Sequence, residues 1–183
     1  MEETMEKTNQ NNLKMLVEGA MMIALAYVLN LVIIYQMPNG GSVTAGSMLP
    51  ILIFAFRWGG TKGLFVGAVY GVIQFILGPK WSFHIVSILG DYVVAFAALG
   101  VAGYISTFKD GLPKGIFAIF VGIFLRFVGH VISGVVVFGM YAPEGQSPLI
   151  YSLVYNASYL VPEFILTSIL FALIFEPLKR AKI

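Results

Sequence analysis

Six apolar runs, at about 13–35, 47–57, 61–77, 84–107, 114–140 and 149–176, fill nearly the whole chain, separated only by MPNGG, RWGGTK, GPKWS, FKDGLPK and YAPEGQSP. About 20 apolar residues in a helix cross the ~30 Å hydrocarbon core of a bilayer, where backbone polar groups must be satisfied internally. The first, fourth, fifth and sixth runs exceed that length. The second, at about 11 residues, reaches only ~17 Å as a helix and is expected to enter from a loop that dips inward. Gly and Pro cluster at the interruptions, as helix ends require. The expected fold is therefore an all-α integral membrane protein, a six-transmembrane-helix bundle with a short second helix. One membrane domain spans 13–178, between a short polar tail at 1–12 and a basic tail at 179–183.

Composition agrees with this class. The 183 residues are 58% hydrophobic and 11% charged, whereas soluble domains run near 45–50% and about 25%. Without cysteine there are no disulfides or thiolate metal sites, and a net charge of +2 with no basic run gives no nucleic-acid signature. No HExxH, GxGxxG or GxxxxGK[ST] pattern is present, so the sequence implies no metal, dinucleotide or nucleotide cofactor. The opening MEETMEKTNQNN lacks the basic start and cleavage site of a secretory signal and is expected to be a frayed tail.

Basic residues predict the orientation. With the N-terminus cytoplasmic, the inside carries Lys7, Lys14, Arg57, Lys62, Lys109, Lys114, Lys179, Arg180 and Lys182, and the outside only Lys80. An even number of spans returns the C-terminus to the same side. The connections near 36–46, 78–84 and 139–148 then roof the outer end together.

Three ionisable side chains, Asp91, Arg126 and His130, stand within these runs. A charge at the centre of a span costs roughly 2.5 to 3.5 kcal/mol on insertion scales, so such residues mark sites or pairs. Helical rise places Asp91 and His130 roughly 10 to 14 Å below the outer surface, with Asn156 comparably deep. Arg126 and His130 share a helix face that Gly134 continues outward, and an Asp91–Arg126 ion pair is feasible. A carboxylate, an imidazole and an amide at one level suit a polar heterocycle, with Trp81, Phe138 and Tyr151 as stacking surfaces. Taken singly, each residue also has a structural explanation. Asp91 and Arg126 fit a buried pair, His130 a satisfied core histidine, Trp81, Tyr92 and Tyr151 interfacial anchors, and Asn156 a helix bridge. Their convergence points to a binding site.

Asp91, His130 and Ser133 contain the residue types of a hydrolytic triad, but no nucleophile motif surrounds the serine. In the first run, Ala20 and Ala24 lie four apart on one face, a small-residue spacing that brings helices close in lipid, whether within the bundle or to a partner. Gly63, Gly67 and Gly71 repeat the spacing in the third run.

The stretches SMLPILIFAFRWGGTKG at 47–63, YGVIQFILG at 70–78, DYVVAFAALGVAG at 91–103, LRFVGHVISGVVVFGMYAPEG at 125–145 and YSLVYNASYLVPE at 151–163 run over most of the chain. In order and spacing they resemble the thiamine-specific substrate-binding subunits, or S components, of energy-coupling factor transporters. Ala20-x-x-x-Ala24 resembles that family's docking motif for the coupling subunit.

The resemblance implies a non-enzymatic, multi-pass protein of the bacterial cell membrane that captures thiamine from outside beneath a lid formed by the first connection. Its implied partners are a transmembrane coupling subunit and two ATPase subunits. By motif position, Asp91 binds the aminopyrimidine with Tyr92 beside it, His130 contacts the pyrimidine, and Tyr151 and Asn156 are the polar pair of the last helix. Trp81 matches an aromatic near the mouth. Phe138 falls where some members have a stacking tryptophan, and Arg126 where a lysine can occur. An S component for another vitamin or thiamine precursor is the alternative; an intramembrane hydrolase or stand-alone carrier is a remote one.

Overall fold

A computed structural model describes residues 2–181, with side chains from Glu6 onward except Lys7. Lys182 and the side chain of Lys7, both assigned above to the inner face, lie outside the described residues. Helix α1, Glu2–Leu31, begins about eleven residues before the first apolar run rather than after a frayed tail. Its early Glu, Met, Lys and Gln are good helix formers, and a helix nucleated in the apolar run propagates into them readily.

An antiparallel hairpin follows, β1 Ile33–Gln36 and β2 Ser42–Thr44. The chain then turns inward through the buried Thr44, Ser47 and Met48 into α2, Leu49–Trp58. This ten-residue helix is the short second span expected from the sequence. Every residue from Leu49 to Phe56 is buried, as befits a helix apolar on all sides. A single glycine joins it to α3, Gly60–Leu77: Gly59 adopts φ +88°, which a side chain would resist, and its N–H returns to the Ala55 carbonyl at 2.9 Å.

Helix α4, Ile85–Ile105, is irregular, widening into a π-helical segment over Ile88–Val94 and tightening to 3-10 over Ala98–Val101. Asp91 sits in the widened segment, an irregularity often found at functional sites. Gly67 and Gly71 let α3 lie directly on the carbonyls of Phe96 and Tyr92, so these small-residue positions serve packing within the bundle. Helix α5, Leu112–Val137, and α6, Pro148–Arg180, complete a six-helix bundle. Among the described residues, α1 from Thr8, α3, α4, α5 and α6 have the length and apolarity of membrane spans.

The connections at 32–48, 78–84 and 138–147 gather at one end, where Gly40 packs against the Trp81 ring and Gly139 against Pro148. The other end is closed by Phe56, Phe108, Phe171 and Phe175, whose ring centroids lie 5.2 to 6.4 Å apart.

Candidate ligand-binding site

A cavity opens beneath the hairpin, between α3, α4, α5 and α6. Asp91, Tyr92, Arg126, His130, Gly134, Phe138, Tyr151, Asn156 and Trp81 all line it, so the fold brings together the nine cavity residues picked out from the sequence.

At its floor Asp91 is held by three donors. Ser87 Oγ, one turn earlier on α4, and Ser133 Oγ of α5 each donate to Oδ2 at 2.6 Å, and His130 Nδ1 lies 2.8 Å from Oδ1. A carboxylate has about four acceptor positions, so about one stays open towards the cavity.

Arg126 does not form the direct ion pair with Asp91 that the sequence makes feasible. Its Nε donates to His130 Nε2 at 3.1 Å, and its guanidinium lies 4.0 Å from the Phe96 ring centroid. The four-residue spacing on α5 favours the local contact, and Phe96 of α4 supplies a cation–π surface. Arg126 can only donate, so His130 Nε2 must accept; the imidazole proton is then on Nδ1, aimed at Asp91. The result is a chain, Arg126 to His130 to Asp91. It also removes the hydrolytic arrangement: Ser133 bonds the carboxylate rather than the imidazole, and neither ring nitrogen is free to take its proton.

Asn156, only 4% exposed, is spent on helix packing. Its Nδ2 donates to the Ser152 carbonyl at 2.9 Å and to Ser152 Oγ at 3.1 Å, reaching across to the His130 carbonyl at 3.4 Å. Its Oδ1 accepts from Tyr159 at 2.7 Å. Gly134 leaves room for α6 against α5, since a methyl there would land on Ser152 Oγ.

Aromatic residues form the rim. Tyr151 tilts against Tyr155 at 6.0 Å, Phe138 stacks on Tyr141 at 6.3 Å, and Tyr92 meets Phe75 edge-on at 5.3 Å while its hydroxyl donates to the Pro79 carbonyl at 3.3 Å. Trp81, 47% exposed, stands over Gly40 at the mouth.

Sequence reasoning missed the residues that seat the hairpin. Tyr155 donates to the Pro38 carbonyl and accepts from the Gly41 N–H at 3.0 Å, and the Tyr159 ring lies so close under Gly41 that a methyl there would sit 2.6 Å from its Cδ1. A polar strut on the far wall was also missed: Asn30 donates to Gln74 at 3.3 Å, Gln74 to Tyr70 at 2.5 Å, and Tyr70 to the Ala26 carbonyl at 3.3 Å. Asn30 and Gln74 are uncharged, so a search for stranded charges passes over them. Glu163, 3% exposed on α6, is a further ionisable group inside a span and would have been found by that search.

Ala20 and Ala24 lie outside the cavity. Both are exposed on the outer face of α1, while neighbouring Gly19 and Ala26 are buried against the bundle.

Residues 16–183 match the family model described as Thiamine transporter protein (Thia_YuaJ). The thiamine transporter ThiT of Bacillus subtilis is 42% identical over 177 residues, covering 90% of this chain and 92% of that one. ThiT of Lacticaseibacillus paracasei is 29% identical over 133 residues, 66% of each chain. The solved structure of ThiT from Listeria monocytogenes superposes with a TM-score of 0.79 over 91% of this chain and 96% of that one; at 22% identity it supports the fold. With the family model covering all but the first fifteen residues, this polytopic membrane protein belongs to the thiamine transporter family.

Proposed function

We propose that the chain binds thiamine in the cavity beneath the hairpin and acts as the substrate-binding S component of an energy-coupling factor importer. The observation that carries this reading is the half-buried carboxylate of Asp91, held by Ser87, Ser133 and His130 at the floor of an aromatic-rimmed cavity. Thiamine joins a hydrogen-bonding aminopyrimidine to a permanently cationic thiazolium. Asp91 accepts from the aminopyrimidine and supplies negative charge, with His130 fixing its orientation and lying against the ring. Tyr92, Tyr151, Phe138 and Trp81 give the thiazolium aromatic faces. Arg126 stays back on Phe96 and His130 as a support, away from the cationic half. Asn156 and Gly134 set the α5–α6 spacing that shapes the pocket.

Delivery inward requires partners, because the sequence has no nucleotide-binding loop. The exposed Ala20–Ala24 face of α1 suits close contact with a transmembrane coupling subunit, which two ATPase subunits would drive. The excess of Lys and Arg around 57–62, 109–114 and 179–182 supports cytoplasmic termini and a cavity open to the outside of a bacterial cell.

Titrating purified protein with thiamine, following Trp58 and Trp81 fluorescence, tests this function. Saturable binding below micromolar thiamine is expected, together with a large loss of affinity when the thiazolium half is removed. Absence of saturation at micromolar thiamine refutes it, and equal affinity for the isolated pyrimidine points to a precursor as the ligand.

A further inference from the structure

The hairpin rests on one face of α6 at Tyr155, Tyr159 and Glu163, spaced four residues apart. The two tyrosines line the cavity; Glu163 does not. A carboxylate that is 3% exposed within a membrane span is costly, and no Lys, Arg or His lies within ion-pair distance of it among the described residues. Its Oε1 instead accepts twice from one residue, the Thr44 N–H at 2.6 Å and the Thr44 hydroxyl at 2.7 Å. Its Oε2 has no hydrogen-bond partner among the described residues. Thr44 is the last residue of β2, 2% exposed, and Ser47 Oγ braces its hydroxyl at 2.8 Å.

The two ends of the hairpin are thus held differently. At its turn a tyrosine hydroxyl bonds Pro38 and Gly41 in a partly exposed setting. At its base a carboxyl oxygen takes two donors from one residue in a dry setting, where a hydrogen bond is electrostatically stronger than in water. We infer that Glu163 is the fixed anchor of the lid: Thr44 stays on Glu163 while the turn leaves Tyr155, so the hairpin pivots about its base and Glu163 governs how long a ligand is retained. Glu163 acts through Thr44 and is a positioning residue. The effect on ligand retention rests on the function proposed above; the anchor itself does not.

Three variants of the full chain test this. E163Q keeps an acceptor oxygen for both Thr44 donors, E163L removes it, and T44V removes the hydroxyl from the lid side without altering α6. In ligand-free protein, amide hydrogen exchange over 33–45 should rise about tenfold in E163L and several-fold in T44V, while E163Q stays near wild type. With thiamine bound, dissociation should accelerate by similar factors while association changes far less. Unchanged exchange over 33–45 in T44V, E163Q as damaging as E163L, or faster exchange spread evenly over all helices overturns the anchor. Should E163L not fold, T44V and E163Q decide. Should the wild type bind no thiamine, the function falls, and the ligand-free exchange still judges the anchor.

Discussion

Asp91 Oδ1 lies 2.8 Å from His130 Nδ1 across the α4–α5 seam, between residues 39 apart in the chain. With Arg126 occupying the other ring nitrogen, His130 has one proton and directs it at Asp91. Three donors from the protein fix the carboxylate, and such preorganisation lowers the cost of binding.

Replacing Asp91 by Asn keeps the size but removes the charge and presents an N–H₂ to one of its three donors. Thiamine affinity is expected to fall by about a hundredfold, the scale of losing a charged hydrogen-bond partner in a partly buried site. Calorimetric titration checks this; unchanged affinity would show that the carboxylate does not meet the ligand.

Ser133→Ala separates support from catalysis. Removing one of Asp91's donors should weaken binding by roughly fivefold to tenfold and leave it saturable, consistent with a net contribution of about 1 to 1.5 kcal/mol. Thiamine turnover by the wild type that vanishes in this variant would contradict a purely binding role.

Gly134→Ala drives a methyl onto Ser152 Oγ. Overpacking of this kind costs about 1 to 3 kcal/mol, so the thermal midpoint should drop, and Ser152→Ala in the same chain should recover much of it. If the double variant is no more stable than the single, close α5–α6 packing at this point is not the cause.

Ala20→Trp or Ala24→Trp places a bulky ring on the exposed face of α1. Uptake by cells carrying the complete importer should be abolished while thiamine binding by the purified subunit is preserved. Loss of binding as well would mean that this face supports the bundle.

The loop at 106–111 offers a pH measurement. Lys114, 2.7 Å away, and then the Thr107 N–H and hydroxyl hold the Asp110 carboxyl down at about 2. Because the folded value is depressed, the stabilisation is present above the unfolded carboxyl's range near 4 and is lost as pH falls through about 2. Carboxyl carbon chemical shifts in detergent would show it; titration near 4 would mean the loop bonds do not persist in solution.

Much of this molecule is legible from apolar run lengths and stranded charges. The short α2, the three roofing connections and the gathering of Asp91, His130 and Asn156 at one level follow from helical rise alone. Partner choice does not. Arg126 can reach Asp91 or His130 by length; its four-residue spacing from His130 favours the second, and the Phe96 ring that helps to hold it there is not read from spacing. Asn156 has the right depth, but four internal hydrogen bonds consume its amide, and those depend on where Ser152 and Tyr159 settle across from α5. The hairpin is hidden for another reason. Its strands of four and three residues are held in large part by Tyr155, Tyr159 and Glu163, more than a hundred positions later.

Only Val32 separates the end of α1 at Leu31 from the start of β1 at Ile33. The helix bearing Ala20 and Ala24 is therefore joined to the hairpin by an arm of only about 10 Å, from Ala24 to Leu31. If a coupling subunit docks on that face, as proposed above, a tilt of α1 would pull on β1 while Glu163 restrains the opposite strand at Thr44. Traction on one strand against a restrained neighbour is a shear load, so on that proposal a partner gripping the outside of the bundle would strain the hairpin without touching the cavity.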